Sequence, residues 1–568
     1  MSLRFAFPVL RKRAAVWMPV LFAGAVGVSV APAAEETTFQ RFVVAQQAET
    51  ARPARPEPKG EIVPLQISVR VDAEAEPTPA LVRMTSVATG GTVNLPGHLR
   101  RQMGWYSLPA AATVQVPVGE LRIEACRGLD TEMAAATVKA EAGAANRVEL
   151  KVRQFYDHAA RGIRGANTHL HLRYGSSGGT SIKTKAEAEE YLRAVGRSDG
   201  LDLVYVSYLL RTGFDYVSNE FSAEELARMS EPRVRFVNGE EFRHEGGRTG
   251  NKDRKDELRY GHVLMLDLPR LVQPVSYGAI FLPERPASDA LPMRRGMREA
   301  RQLGATLIWC HGRQGLEDVP NWIDGVLDAQ NIFDGGSEGS IERVFYPYLN
   351  AGLRIPFSTG TDWGVYDFSR VYVAMSGPAA SRPFRENLRA GRSFITNGTY
   401  LEFAVDGKAA GDTVALTAPR ALRVRGRGIG RDDFGGLEVV WNGEVVAKAG
   451  RRSVGGHFEA EVDAPIDVRE PGWLALRIPM QHVHTDRSQY TGPGANLLGK
   501  ALFAHTSPVY VTLGGRSVRQ PAAVAQLVAE LEAASAQIRE LGAFARDAER
   551  EAVLAIYRDA IRTLQAGQ

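Results

Sequence analysis

The sequence predicts a multidomain protein: a central α/β domain flanked by two all-β domains and followed by a helical hairpin. Three observations support this. Short alternating strands occur on both sides of the chain's middle, at roughly ten-residue spacing on the N-terminal side. Buried apolar strands alternate with amphipathic helices between them. The last stretch is rich in Ala, Leu, Glu and Arg at helical spacing. A length of 568 residues allows three or four such domains.

Residues 1–33 are expected to be a signal peptide. Basic residues lie near the start, an apolar stretch follows over 16–30, and small residues at 31–33 suit cleavage. There is no twin arginine before the apolar stretch, which favours the general secretory route. An uncleaved membrane anchor is the alternative. Residues 34–61 are polar and read as a flexible linker, so we expect a periplasmic or secreted protein.

The formal net charge of +4 gives no indication of nucleic-acid binding. Residues 1–33 carry four basic and no acidic side chains, so cleavage would remove this charge. No basic run interleaved with aromatic residues follows. No later segment is apolar and long enough to span a bilayer. We therefore expect no nucleic-acid partner and no integral membrane segment after cleavage, while the oligomeric state stays open.

The first folded domain is predicted over 62–155 as a small antiparallel sandwich. Its expected strands cover 65–71, 113–118, 121–125 and 147–152, separated by Gly, Pro and polar turns. The two cysteines of the chain, Cys126 and Cys310, are far apart in sequence. We expect both to be free and packed in the core, although an exported protein also permits a disulfide.

A barrel-like α/β domain is predicted over 160–399. The expected strands cover 201–206, 233–237, 261–266 and 305–309, and the expected helices begin near 185, 222 and 292. A doubly wound open sheet is the alternative, but no Gly-rich phosphate loop follows any strand.

The chain returns to β-structure over 400–517, which predicts a second sandwich. Its strands are expected at 401–405, 422–425, 437–441, 473–477 and 509–513. Residues 521–568 are predicted to form a helical hairpin that breaks near 541–542.

Candidate metal ligands lie at strand ends of the α/β domain. In the segment GANTHLHLR, two histidines alternate in a strand and so point to one face. Convergent imidazoles often begin a first-row metal site, although two histidines on an exposed strand look the same in sequence. More candidates follow downstream, and each alone would suit a capping or buried hydrogen-bonding role. The full set is His169, His171, Glu241, His262, His311 and Asp362.

These motifs resemble the polymerase-and-histidinol-phosphatase (PHP) superfamily, most closely its exported CehA/McbA-like metallohydrolases. GANTHLHLR is similar to the first motif, and the segments NGEEF, WCHG and GTD follow in the family's order. The segment FRENLRAGRSFITNG resembles the end of the family's domain, and VGELRIEACRG resembles the β-domain before it. The resemblance covers most of residues 100–515.

The resemblance implies a distorted (β/α)7 barrel that binds one to three divalent metals. It implies that His169 and His171 are first-site ligands. Glu241 would be the bridging or shared carboxylate, and it is preferred to the neighbouring Glu240 because the family pattern is Gly-any-Glu. His262 and His311 would take further metal or substrate positions, and Asp362 would be the late aspartate ligand. Two departures from the family lie at Ser207-Tyr208, where an Asp-His pair is usual, and at Gly364, where a histidine is common. They favour one or two ions of Zn, Mn or Fe.

The leading hypothesis is an exported metal-dependent hydrolase acting on a small-molecule substrate, either a phosphoester or a carboxylic or carbamate ester. Asp362 and His311 are the candidate catalytic residues, and Arg173 and Tyr208 are the candidate substrate-binding residues. The alternative is a catalytically degenerate PHP-like envelope protein that binds carbohydrate or protein. His244 is expected to be solvated. A second His-any-His pair, His482 and His484, is expected to be a loop feature that can reach over the barrel mouth.

Overall fold

A computed structural model describes residues 60–567 of the chain. Within that range it leaves out 73, 173–181, 211–216, 219–220, 245–257, 273–290, 313–314, 335–340, 365–366 and 486–488. The described chain is a mixed α/β fold in which strands dominate, and its largest sheet is a curled half-barrel. None of the helices in these described ranges is apolar and long enough to cross a membrane.

Two small sheets form the first folded part. The first has the order β4-β1-β7 and the second the order β3-β2-β5-β6. One pairing differs from the predicted antiparallel sandwich, because β1 and β7 run parallel. Apolar side chains from both sheets share one core. The strands are β1 (Ile62–Val71), β2 (Ala80–Ser86), β3 (Tyr106–Leu108), β4 (Ala111–Pro117), β5 (Gly119–Cys126), β6 (Ala134–Ala140) and β7 (Asn146–Val152).

The middle of the chain contains the elements of the curled sheet. Its strands are β8 (Ile163–His171), β9 (Leu203–Leu210), β10 (Val217–Ser218), β11 (Arg235–His244), β12 (Gly261–Leu266), β13 (Thr306–Trp309), β14 (Ala329–Asn331), β15 (Phe357–Ser358), β16 (Asp362–Trp363), β17 (Arg370–Ala374) and β18 (Ser393–Thr396). Its helices are α1 (Lys185–Ser198), α2 (Ala223–Met229), α3 (Arg294–Gln302), α4 (Asp318–Ile323), α5 (Ile341–Val344), α6 (Tyr346–Asn350) and α7 (Ser381–Arg389).

The curled sheet mixes parallel and antiparallel pairs. Strands β8, β9 and β11 are parallel neighbours, as are β13, β14 and β15. Strand β12 lies between the two groups and runs antiparallel to both β11 and β13. On the other side of β8, β16 pairs parallel and β17 antiparallel. The antiparallel β12 interrupts the strand–helix alternation that the sequence predicts.

Strand β8 shows how the sheet separates a core face from a site face. Leu170 belongs to an apolar cluster that includes Leu192 and Val195 of α1, so it points towards the helix layer. Successive side chains of a strand point to opposite faces, which directs His169 and His171 to the concave side of the curl. Both imidazoles are almost completely buried there.

The curled sheet continues into the C-terminal strands, because β18 pairs with β27. A separate four-stranded sheet has the order β19-β21-β25-β24. The proposed domain limits at 155, 399 and 517 stay predictions. The strands are β19 (Thr399–Val405), β20 (Thr413–Leu416), β21 (Arg420–Gly430), β22 (Gly436–Trp441), β23 (Glu444–Gly450), β24 (Arg452–Val454), β25 (His457–Val468), β26 (Gly472–Arg477), β27 (Ala504–Thr506) and β28 (Val509–Leu513).

Two helices, α8 (Pro521–Leu541) and α9 (Asp547–Ala566), end the described chain, with the break where the sequence predicts it. Their apolar faces share a core with the curled sheet, and Tyr557 donates a hydrogen bond to the Leu316 carbonyl at 3.2 Å. Both cysteines are buried and free, as predicted.

Candidate metal centre

The six predicted ligands meet at one edge of the curled sheet. His171 ends β8, His311 follows β13 and Asp362 opens β16. His262 lies at the start of β12, and because β12 is antiparallel, its start shares an edge with the ends of the parallel strands. Glu241 was expected after its strand, but β11 extends through His244 and so contains it.

Four donor atoms come together in the first group of this cluster. The Nε2 atoms of His169 and His171 are 3.1 Å apart, and Glu241 Oε2 lies 2.8 Å from His171 Nε2. Asp362 Oδ1 is 3.3 Å from His169 Nε2 and 3.4 Å from His171 Nε2. Zinc–nitrogen distances near 2.0 Å in a tetrahedral site place donors roughly 3.3 Å apart. The distance between His169 Nε2 and Glu241 Oε2 is longer, at 4.0 Å, and the four atoms are close enough together to hold a metal ion.

The other imidazole nitrogens are already engaged. His171 Nδ1 lies 2.9 Å from the Ser207 carbonyl, which can only accept a hydrogen bond, so Nδ1 carries the proton. His169 Nδ1 is 2.7 Å from the Asp334 carboxylate. Such partners fix the tautomer and ring orientation of metal-binding histidines. With Nδ1 donating in each ring, both Nε2 atoms are left to face the centre of the cluster.

A second group of donors shares Glu241 with the first. His262 Nδ1 is 2.8 Å and His311 Nε2 is 3.8 Å from Glu241 Oε1. Glu241 thus directs one carboxylate oxygen to each group. The buried histidines and carboxylates of these groups can hold a metal ion.

Asp334 is a site residue that the sequence reasoning missed. It accepts hydrogen bonds from His169 Nδ1 at 2.7 Å, from the His311 backbone N–H at 2.9 Å and from Asn331 Nδ2 at 3.0 Å. Asp334 follows β14 by three residues, so the same search for carboxylates after strands would have found it. It connects a residue of the first group to a residue of the second.

The backbone is unusual at two of the predicted ligands. His311 has a φ of 57° and Asp362 a φ of 58°, in the left-handed region that non-glycine residues seldom adopt. Residues are held in such conformations only where the surroundings enforce them, and they cluster at functional sites. At His311, the backbone N–H donates to Asp334. Next to Asp362, the Thr361 N–H donates to the His169 carbonyl at 2.9 Å.

The site buries several charges at once. Burial by itself raises the pKa of Glu241, but interaction with His262 and hydrogen bonds from the surrounding imidazoles outweigh it and hold that pKa well below its usual range. Asp334 behaves in the same way beside His311 and His169. Burial lowers the pKa of His169 and of His311, yet neighbouring carboxylates raise both above the ordinary value. Ionised carboxylates buried in this way need a positive partner, which protonated imidazoles or a bound cation can supply.

Two buried oxygen atoms also point to a missing partner. Asp362 Oδ1 and Ser207 Oγ make no hydrogen bond to any described residue. Leaving buried polar atoms unpaired costs free energy, so such atoms usually have an ion or water as their partner. The residues present therefore fit a divalent cation.

Tyr208 and Gly364 are not among the donors of the two groups, and Arg173 is outside the described residues. Tyr208 is half-buried on β9, where alternation places it on the face shared with Val206, away from the imidazoles. Its proposed contact with substrate stays a prediction. Gly364 follows β16 and supplies no ligand, but its N–H donates to the His171 carbonyl at 2.9 Å.

Two further histidines, His244 and His484, are outside the two groups of donors but are also buried. His244 was expected to be solvated, which is wrong: it is buried, its ring lies 4.6 Å from that of Tyr260, and its Nδ1 accepts the Tyr260 N–H. His484 is buried as well, with its ring 4.8 Å from Phe333, the residue before Asp334. Of this pair, His484 therefore packs against the residue that precedes Asp334, while His482 stacks on Tyr490.

No protein-family model matches the chain, and no curated protein is similar enough to match it.

Proposed function

We propose that the protein is an exported metal-dependent hydrolase of the PHP type, acting on a phosphoester or on a carboxylic or carbamate ester. The observation that carries the proposal is the buried group of His169, His171, Glu241 and Asp362. In this proposal the curled sheet corresponds to the family's distorted (β/α)7 barrel, and residues 1–33 direct the chain to the periplasm or the medium.

In the proposed reaction, the metal ion and the protein side chains have different roles. A divalent cation bound here would act as a Lewis acid that acidifies water and polarises a carbonyl or phosphoryl oxygen. The protein would fix the donor atoms through the Nδ1 hydrogen bonds of His169 and His171 and exclude bulk water by burial. Asp362 and His311 are the proposed proton acceptors, because both lie at the edge of the sheet beside the donor group.

We infer that the site takes one or two ions of Zn, Mn or Fe. The first group offers four donors, while the second offers His262, His311 and the other oxygen of Glu241. Ser207 occupies the inner face of β9 where the family usually has a carboxylate, and a hydroxyl is a weaker ligand for a divalent cation than a carboxylate. A full set of three ions is therefore not proposed.

The second candidate function is a non-catalytic binding protein of the cell envelope. Ser207, Tyr208 and Gly364 favour it, because each stands where the resemblance implies a ligand. In that case metal would stabilise the fold without turnover.

Metal analysis of the purified protein tests the metal site. After growth with added Zn, Mn and Fe we expect about one or two equivalents in the wild type and a large loss in the His169→Ala/His171→Ala variant. His482→Ala is the matched control and should keep its metal, because it is outside both groups. Less than about 0.1 equivalent in the wild type would overturn the proposal.

Turnover separates the two candidate functions. The metal-loaded protein is assayed with p-nitrophenyl phosphate, bis-p-nitrophenyl phosphate and p-nitrophenyl acetate, before and after chelation. Hydrolysis that disappears on chelation and returns with metal supports the hydrolase. A fully loaded protein that hydrolyses none of them favours the binding protein.

A further inference from the structure

Arg243 lies on the same face of β11 as Glu241. The intervening Phe242 points the other way, since a Cβ added at Gly296 of α3 would lie 2.3 Å from its ring. His244, on the far side of Arg243, also points away and packs on Tyr260. Alternation along the strand therefore directs Arg243 towards the site.

Arg243 also stands directly opposite a predicted ligand. In the antiparallel register of β11 and β12 it pairs with His262, and residues opposite each other share a face of the sheet. Burial and then the positive charge of Arg243 lower the pKa of His262 to about 3, which agrees with a guanidinium close to that imidazole.

The position suits contact with a substrate rather than with the metal. Arg243 is two residues beyond Glu241 towards the end of β11, roughly 7 Å along the strand. It is 8% exposed, whereas Glu241 is 2% exposed. Arg243 is thus closer to the end of β11 than Glu241 and slightly more exposed to solvent.

A guanidinium presents several N–H donors in a planar fork that matches two oxygens of a phosphate or carboxylate. The three carboxylates of the site would repel an anionic substrate, and a fixed positive charge beside the cation would offset that repulsion. A phosphoester carries such an oxyanion as substrate, and hydrolysis of a carboxylic or carbamate ester releases one as product.

We propose that Arg243 binds an oxyanion, either the phosphoryl group of a phosphoester substrate or the carboxylate that ester hydrolysis releases, and so makes the site selective for anions. This inference rests on the proposed function, because the bound oxyanion would lie beside the metal site. It assigns the anion-binding role to Arg243 on the basis of strand register.

The test is calorimetric titration of inorganic phosphate and, separately, of acetate into the full-length protein, both metal-loaded and chelated. We expect Arg243→Gln to weaken binding of the preferred anion about tenfold or more, with Arg243→Lys intermediate because it keeps the charge but loses the fork. Arg235→Gln, an exposed arginine on the same strand, should bind like the wild type. Metal content and Tm are measured for every variant.

The outcomes separate this inference from the proposed function. Wild-type protein that binds metal but neither anion, or equal anion affinity in wild type and Arg243→Gln at equal metal content, overturns the role of Arg243. A wild type without metal overturns the metal hydrolase alone, and Arg243-dependent anion binding in that protein still supports the present inference. A lower Tm in Arg243→Gln with unchanged anion affinity would assign Arg243 a structural role and overturn the inference.

Discussion

At the scale of single residues, the candidate site depends on side chains that orient the ligands as much as on the ligands. Asp334 accepts from the His169 imidazole and from the His311 backbone, while the Ser207 carbonyl accepts from His171. These contacts decide which imidazole nitrogen carries the proton and therefore which one faces the centre.

Replacing Asp334 by Ala should weaken metal binding about 10- to 100-fold, because His169 would lose the partner that fixes its ring. The measurement is a competition titration against a chelator of known affinity. Asp559→Ala, an exposed aspartate of α9, is the control and should leave affinity unchanged. An unaltered metal affinity in Asp334→Ala would contradict the role of Asp334 in positioning His169.

Metal binding should release protons near neutral pH. The pKa values of His169 and His311 lie above their ordinary value of 6.5, so both rings hold protons in the metal-free protein that an ion would displace. Titrations in buffers of different ionisation enthalpy measure the release. Affinity should rise with pH until it passes these raised pKa values, and a pH-independent affinity would contradict the prediction.

The raised pKa values of His169 and His311 also predict how the stability of the metal-free protein changes with pH. A histidine whose pKa is raised on folding contributes stability that is complete below its unfolded pKa and is lost as pH rises through the folded pKa. The metal-free protein should therefore lose stability above neutral pH. A metal-loaded sample should lose less, because the cation replaces the protons. Thermal unfolding at several pH values, with and without metal, checks this.

At the scale of elements, the loop between β15 and β16 brings Asp362 to β8 by close backbone contact. A Cβ added at Gly360 would lie 2.5 Å from the His169 nitrogen and 2.6 Å from its Cβ. Only a residue without a side chain allows the two segments to approach this closely. The distance between Asp362 and the imidazoles depends on that approach.

Gly360→Ala should therefore lower both stability and metal content, the stability by about 1–3 kcal/mol as for other overpacked sites. Gly450→Ala is the matched control, because a Cβ there has no atom within 4 Å. Urea unfolding and metal analysis measure the two effects. Wild-type behaviour of Gly360→Ala would show that the loop is not held against β8.

At the scale of the whole molecule, buried ion pairs connect the first sheets to the curled sheet. Arg101 binds the Asp199 carboxylate through two hydrogen bonds of 2.6 and 3.1 Å, and Arg370 of β17 reaches the same carboxylate at 3.4 Å. All three side chains are almost fully buried. The network spans the predicted boundary near residue 155.

Asp199→Ala should destabilise the protein by about 3–5 kcal/mol, because it leaves two arginines buried without their shared carboxylate. Glu386→Ala breaks an exposed pair with Arg382 and should cost less than about 1 kcal/mol. Denaturant unfolding followed by circular dichroism compares the two. Equal effects would mean that the buried network does not hold these parts together.

Much of the secondary structure follows from local pattern. The predicted strand at 261–266 and the break between α8 and α9 agree with the structure, because apolar periodicity and turn residues act over a few positions. The direction of β12 does not follow from pattern, and neither does the extension of β11 through Glu241. Both depend on pairing between strands, which local sequence does not encode.

The sequence by itself determined which chemical groups are present and which face of a strand His169 and His171 occupy, because alternation is a local property. The resemblance to the PHP family rested on the same short motifs. Only the tertiary structure decided that Glu241, His262, His311 and Asp362 approach these imidazoles, and that Asp334 and Arg243 belong beside them. Proximity between residues far apart in the chain arises from strand pairing and packing, and sequence order alone does not specify it.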